Sequence, residues 1–106
     1  MKSLKIILSV AFLSGVVSAY AASKTISEKG KVFSEAEISV KKGETVNFLN
    51  DDNIVHNVMS TSAGNEFNVG AVKPGISTPV TFKNAGDVLV ICAIHPSMKM
   101  HVKVTE

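Results

Sequence analysis

The residues with the most distinctive chemistry lie near the C-terminus of this chain, where segment 92–98 reads CAIHPSM. The segment supplies Cys92, His95 and Met98, and a further histidine, His56, lies well upstream. Two imidazoles, a thiolate and a thioether form the ligand set of a trigonal His₂Cys copper site with a weak axial methionine. Cys92 is the only cysteine, so it cannot belong to an internal disulfide. The residue types therefore indicate a copper site.

A copper ion that alternates between Cu(I) and Cu(II) needs ligands that suit both states, with little rearrangement between them. A rigid β-scaffold meets this need when its strands end at the ligands. Cys92 closes a continuous apolar run, 88–92, and His95 and Met98 follow in the adjoining loop. His56 lies at the end of another strand-like segment. This arrangement favours a copper electron carrier.

Short runs of β-branched and apolar residues, separated by turn signals, fill the chain after residue 30. No helical periodicity interrupts them, so the pattern predicts an all-β sandwich or barrel. Residues 23–30 are expected to be a polar lead, 50–53 a loop and 60–66 the longest loop. The strand-like segments cover 32–33, 38–40, 45–49, 54–59, 80–82, 88–92 and 100–104.

The last of these segments alternates strictly between apolar and polar residues. Side chains of a strand point alternately to its two faces. Met100, Val102 and Val104 are therefore predicted to face the core. His101 is predicted to face water, and no role is assigned to it.

The N-terminal segment has the features of a secretory signal peptide. Lys2 and Lys5 precede an apolar stretch, 6–17, and Ala19 and Ala21 stand at positions −3 and −1 of a cleavage site. The stretch is shorter than the ~20 residues of a membrane-spanning helix. We therefore expect residues 1–21 to be removed, with export to the periplasm and no membrane insertion afterwards.

The remaining residues, 22–106, are enough for one small domain. Two of the 11 basic residues and none of the nine acidic ones lie in the signal segment, so this domain carries no net charge. Nothing in that balance suggests binding to nucleic acid. A small exported domain without disulfides needs another source of stability, and a bound metal provides one.

Two motifs give the chain a resemblance to the cupredoxins, and most closely to the amicyanin and pseudoazurin group. Cys92, His95, Pro96 and Met98 match the ligand loop Cys-x-x-His-Pro-x-Met, and segment 56–58 matches an upstream His-Asn-Val run. The resemblance covers essentially the whole of 22–106. It implies a small Greek-key β-sandwich or barrel of the cupredoxin type.

The resemblance also implies roles for individual residues. His56, Cys92 and His95 would be the equatorial copper ligands and Met98 the axial one. Asn57 would connect the loop of His56 to that of Cys92, since bonds outside the ligand shell orient the ligands. His95 would be the exposed ligand through which electrons pass to a redox partner docked nearby.

Three positions depart from the family pattern. Ala93 replaces the Thr or Ser that commonly bonds to the asparagine, so that link would have to use the backbone. Val90 stands where an aromatic residue is common, which makes a tyrosine-lined electron route unexpected. Met100 fits the longer spacing Cys-x-x-His-x-x-x-x-Met and is the alternative axial ligand, although Pro96 favours Met98.

The expected function is that of a monomeric periplasmic blue copper protein that shuttles single electrons and is not an enzyme. Its partners would be a dehydrogenase, a cytochrome or an oxidase. A periplasmic copper carrier or chaperone is the alternative.

Zinc could use the same Cys and His residues, but a catalytic zinc site also needs a general base, and no carboxylate stands beside the ligand loop. Nucleophilic catalysis by Cys92 would need a base and a pocket.

Overall fold

The structure, a computed structural model, describes residues 24–106. The predicted signal peptide, 1–21, lies outside the described residues. Within 24–106 the chain forms strands and turns and no helix. No helix in that range could therefore cross a membrane. The nine strands are β1 Lys24–Lys29, β2 Val32–Phe33, β3 Glu37–Lys41, β4 Thr45–Asn50, β5 His56–Ser60, β6 Phe67–Val72, β7 Ser77–Thr81, β8 Gly86–Ile91 and β9 Lys99–Thr105.

The strands form two sheets that pack face to face as a sandwich, which confirms the all-β prediction. One sheet has the order β2-β1-β4-β7 and the other β3-β9-β8-β5-β6. β1 pairs in parallel with β4, and β3 in parallel with β9, while β8 is antiparallel to both β9 and β5. Consecutive strands therefore cross repeatedly from one sheet to the other.

The core between the sheets is built from the inward-facing residues of every long strand. β9 alternates as its sequence predicts: Met100, Val102 and Val104 are buried, and His101 is exposed. Phe48 and Phe82 are completely buried. Each large apolar side chain that is buried in this way stabilises the fold by about 1.5–3 kcal/mol. The core holds both sheets rigid behind the loops at the edge of the sandwich.

Two strands were not expected from the sequence. β1 occupies the predicted polar lead, where its inward face carries Ile26 followed by the charged residue Glu28, so the usual apolar alternation is interrupted. β1 closes on β2 through a two-residue turn in which Gly30 and Lys31 have φ of 63° and 59°, the geometry of a type I′ hairpin turn. β6 is an edge strand with Gly70 in its middle and therefore lacks a strong strand pattern.

The sheet topology brings three chain segments to one edge of the five-stranded sheet. β5 begins at His56, β8 ends just before Cys92, and β9 begins just after Met98. Because β8 is antiparallel to β5 and to β9, the end of β8 and the beginnings of its two neighbours lie at the same edge. The predicted ligands are brought together by this pairing.

Candidate metal centre

His56, Cys92 and His95 form a compact cluster at this edge. Their ligand atoms all lie within 4.8 Å of one another. The Nδ1 atoms of the two imidazoles are 3.2 Å apart, and the Sγ of Cys92 is 3.8 Å from the Nδ1 of His95. Both separations are shorter than two metal–ligand bonds of about 2.0–2.3 Å placed end to end. One ion can therefore bind all three atoms.

The cluster fits a soft, redox-active metal. His56 and Cys92 are completely buried, while His95 is half-buried between the exposed residues Ile94 and Pro96. Of the three residues, His95 is the one nearest solvent. Two imidazoles with one thiolate suit both Cu(I) and Cu(II). The donor set and its burial agree with the metal expected from the sequence.

Asp52 holds the outer nitrogen of His56, a contact that the sequence interpretation did not include. The Nε2 of His56 lies 3.0 Å from the Oδ2 of Asp52, so the imidazole donates its proton there and leaves Nδ1 free for a metal. The hydrogen bond from His56 lowers the pKa of Asp52 below its usual range. The backbone N–H of Lys31 also donates to this carboxylate, at 3.3 Å. Asp52 therefore fixes the tautomer and the orientation of one ligand.

Asn57 connects the two ligand-bearing segments, as the resemblance implies. Its backbone N–H donates to the Sγ of Cys92 at 3.3 Å, and its side-chain Oδ1 accepts from the backbone N–H of Ala93 at 3.0 Å. The link to residue 93 therefore uses the backbone, as predicted from the absence of a Thr or Ser side chain. The Nδ2 of Asn57 donates to Asn68 at 2.8 Å and to the carbonyl of Gly70 at 2.9 Å. The bond network thus ties β5, β6 and the ligand loop together.

The ligand loop is itself closed by backbone hydrogen bonds. The N–H of Met98 donates to the carbonyl of His95 at 2.9 Å, and the N–H of Cys92 donates to the carbonyl of Met98 at 3.2 Å. These bonds hold Met98 directly beside Cys92. Met98 is buried, with 1% exposure, and Met100, the second residue of β9, points into the core. The structure thus places Met98 next to the cluster and Met100 among the inward residues of the last strand.

The two methionines give opposite predictions. Replacing Met98 by leucine should shift the visible absorption and raise or lower the reduction potential, because the axial ligand tunes such sites. Met100→Leu should leave the spectrum unchanged and cost less than about 1.5 kcal/mol of stability, as a volume-conserving core substitution. Absorption spectra and urea unfolding of both copper-loaded variants measure this. A spectral change in Met100→Leu with none in Met98→Leu would assign the axial position to Met100.

Glu28 is a second carboxyl behind the site. Its side chain is completely buried, and neither carboxyl oxygen has a hydrogen-bond partner within the described residues. Burial, reinforced by the negative charge of Asp52, raises the pKa of Glu28 from 4.5 to about 7. The sequence interpretation placed this residue in a polar lead. Only its position on the inward face of β1 shows that it is buried.

This raised pKa predicts a pH-dependent stability. The folded protein holds the proton of Glu28 more tightly than the unfolded chain, so stability should fall as the pH rises from about 4.5 to about 7. In copper-free protein the loss between pH 5 and 8 should be about 2–3 kcal/mol more than in Glu28→Gln. The opposite effect of Asp52, whose pKa is lowered, is confined to pH values near and below its ordinary pKa of about 3.8.

Urea unfolding at several pH values measures this dependence. Glu35→Gln is the matched control, because Glu35 is exposed and should retain the wild-type profile. A wild-type profile identical to that of Glu28→Gln would show that Glu28 is ionised normally.

The geometry and donor set define a small copper protein of the cupredoxin class. The family described as copper-binding proteins of the plastocyanin/azurin family matches residues 20–105. The chain belongs to this family, and its cofactor is copper. No curated protein sequence matches the chain significantly.

Solved structures with the same fold include an amicyanin, a purple cupredoxin and a larger enzyme. A reduced Cu(I) form of an amicyanin variant at pH 4 is 25% identical, with a TM-score of 0.72 over 79% of this chain and 82% of that one. A purple cupredoxin from Nitrosopumilus maritimus is 22% identical, with a TM-score of 0.68 over 77% and 99% of the two chains.

A copper-containing nitrite reductase from Thermus scotoductus SA-01 is also similar to this chain. It is 26% identical, with a TM-score of 0.71 over 77% of this chain. The present chain spans only about a fifth of that enzyme, since 22% of the reductase is covered. The likeness is therefore to a part of the enzyme and concerns the copper-binding fold.

Proposed function

We propose that this protein is a periplasmic type 1 copper protein that carries single electrons between redox proteins. The observation that supports this most strongly is the placement of His95. It belongs to a buried His-Cys-His cluster, yet it is half-exposed at the surface of the sandwich. An electron can thus reach the metal through one imidazole while the other ligands stay shielded from water.

The rigidity of the ligands supports this proposal. Asp52 holds His56, Asn57 donates to the thiolate of Cys92, and the carbonyl of His95 accepts from Met98. Copper supplies the one-electron redox change when it is bound. The protein contributes an arrangement that need not change between the two oxidation states, which keeps electron exchange fast.

The surroundings of His95 suit transient docking. Ile94 is 50% exposed and Val55, the neighbour of His56, is 40% exposed. Apolar side chains next to an exposed ligand favour contact with a partner surface that brings another redox centre close. The partner expected from the sequence, a dehydrogenase, a cytochrome or an oxidase, fits this type of surface.

The proposal assigns no catalytic residue. A cleft of about 520 Å³ between β6 and β7 is lined by Phe67, Val69 and Pro79, among others, and by no residue of the metal cluster. The Thermus scotoductus nitrite reductase shows that the fold also occurs within a copper enzyme, but this chain corresponds to only a part of that protein.

Absorption and EPR spectra after addition of Cu(II) to the purified protein test the metal site first. We expect an intense thiolate-to-copper band and a narrow parallel hyperfine splitting. A fast, reversible redox couple then supports electron transfer. Slow electron exchange combined with ready loss of copper would instead support the copper carrier.

The docking surface has its own test. Ile94→Lys should slow electron self-exchange between reduced and oxidised protein, because it places a charge beside His95. Leu89→Lys is the matched control, since Leu89 is 38% exposed on the outer face of β8 and away from the ligand loop. Equal exchange rates in the two variants would contradict docking at His95.

A further inference from the structure

Three fully buried titratable side chains occur in the described part of the chain: Glu28, His56 and Cys92. The metal cluster accounts for His56 and Cys92. Glu28 belongs to the other sheet and is not a member of the cluster. A buried carboxyl group without hydrogen-bond partners is costly to keep, so its position calls for an explanation.

The backbone places Glu28 directly behind the segment that carries His56. Glu28 lies opposite Asn50 in the parallel pairing of β1 with β4, and its carbonyl accepts from the N–H of Asp51 at 2.9 Å. The next residue, Asp52, holds the imidazole of His56. Glu28 is therefore connected to the ligand through two consecutive residues of one short loop.

Asn50 keeps this loop rigid. Its Nδ2 donates to the carbonyls of Ile54 and Val72, both at 2.8 Å, and its Oδ1 accepts from the N–H of Asp52 at 3.0 Å. Asp52 therefore cannot move far from either Glu28 or His56. The charge of Asp52 acts on Glu28, and the same carboxylate is paired with His56.

Few other charges act on Glu28. Lys29 and Lys31, on β1 and its turn, and Asp51, on the loop, are exposed to solvent. β2 and β4 contribute no charged side chain, and Glu44, which precedes β4, is half-buried and stands six residues before Asn50. The inward residues of the facing sheet are apolar apart from Ser60 and members of the metal site. Asp52 is the charged group that influences Glu28.

We propose that the carboxyl group of Glu28 takes up and releases a proton in response to the charge of the copper site, which it senses through Asp52 and His56. When a one-electron donor protein or an electrode reduces the site, one positive charge is lost there, and the negative charge of Asp52 is less compensated. A carboxyl oxygen of Glu28 then takes a proton from solvent in a fraction of the molecules. On oxidation the electron leaves to an acceptor and the same fraction of protons returns to solvent.

The direction of the effect on the redox equilibrium follows from the charges. An ionised Glu28 stabilises the oxidised site, so the reduction potential should fall as the pH rises through the range in which Glu28 loses its proton. If the proton is held tenfold more tightly in the reduced protein, the redox equilibrium shifts tenfold between the two pH limits, about 59 mV for one electron.

Carbon-13 NMR of the glutamate carboxyl groups tests the charge coupling without any electron transfer. Cu(I) and Zn(II) are both diamagnetic and differ by one charge. Glu28, assigned from the signal missing in Glu28→Gln, should titrate at a lower pH in the Zn(II) protein than in the Cu(I) protein. The carboxyl signal of Glu35, which is exposed, is the internal reference and should be the same in both proteins. An equal midpoint for Glu28 in the two forms would refute the proposal.

Voltammetry over the pH range 5–9 tests the consequence. We expect the potential of the wild type and of Glu35→Gln to fall across the neutral range, and that of Glu28→Gln to stay level there. A change of the potential with pH that arises at any other group would appear in all three proteins, so the comparison between them isolates the contribution of Glu28. Identical profiles for the wild type and Glu28→Gln would overturn the proposal. Since the NMR titration needs only bound metal ions, it decides the proposal even if the protein does not carry electrons.

Discussion

Cys92→Ser should abolish the intense visible absorption of the copper-loaded protein. That absorption requires charge transfer from a thiolate to copper, and a serine hydroxyl neither ionises near neutral pH nor offers a soft donor. Cys92 is the only cysteine of the chain and is fully buried in the cluster, so no other thiolate can replace it. Copper affinity should also fall. The decrease should exceed the roughly 100-fold that is lost when a hydrogen bond to a metal ligand is removed.

The matched control for this prediction is Ala93→Ser, which adds a hydroxyl to the next residue. Ala93 is exposed and contributes only its backbone N–H to the site. This variant should keep its colour and its affinity. Titration with Cu(II), followed by absorption and by competition with a chelator, measures both variants. Retained colour in Cys92→Ser would refute the assignment of Cys92 as a ligand.

Asn57→Ala should lower both the stability of the protein and its hold on copper. The substitution removes three side-chain hydrogen bonds, to Asn68, Gly70 and Ala93. At about 1 kcal/mol each, the loss is roughly 2–3 kcal/mol. For a domain of this size that lowers the melting temperature by about 10–20 °C. Copper affinity should fall 10–100-fold, because the ligand loop loses the side-chain bond that ties it to β5 and keeps only the bond from the backbone N–H of residue 57.

Thermal unfolding of the copper-free protein separates the effect on the fold from the effect on the metal. Asn53→Ala is the control, since Asn53 is exposed in the preceding loop and bonds to Asp52 through its backbone N–H, which the substitution keeps. It should melt within a few degrees of the wild type. If Asn57→Ala melted at the same temperature as the control, the side-chain hydrogen bonds of Asn57 would not contribute to the stability of the fold.

The sequence predicted the parts of this protein that are set by local pattern. The alternation of β9 gave the inward positions of Met100, Val102 and Val104, and they are buried. The ligand types and their spacing predicted the clustering of His56, Cys92 and His95, and these residues are brought together. The absence of a hydroxyl at Ala93 led to the prediction of a backbone link, which the structure contains.

The features that the sequence did not reveal depend on contacts between distant residues. β1 reads as polar because Glu28 occupies an inward position, and its strand character comes from pairing with β4. Asn50 was expected in a loop but ends β4 and is buried, because its side chain satisfies two carbonyls. Asp52 could have been suspected from its spacing of four residues before His56, although that spacing alone is common. The axial role of Met98 and the signal cleavage after Ala21 stay predictions.

The anchoring of the ligand loop has a consequence for how such proteins diversify. The side chain of Asn57 holds the loop by accepting a hydrogen bond from the backbone N–H of residue 93, a group that every amino acid except proline provides. The loop is closed by two further bonds between backbone atoms. The attachment of the loop therefore does not depend on most of the side chains between the ligands. Evolution or design can vary positions 93, 94 and 97 to change solvent access and partner choice, while the scaffold that holds the metal keeps the same sequence.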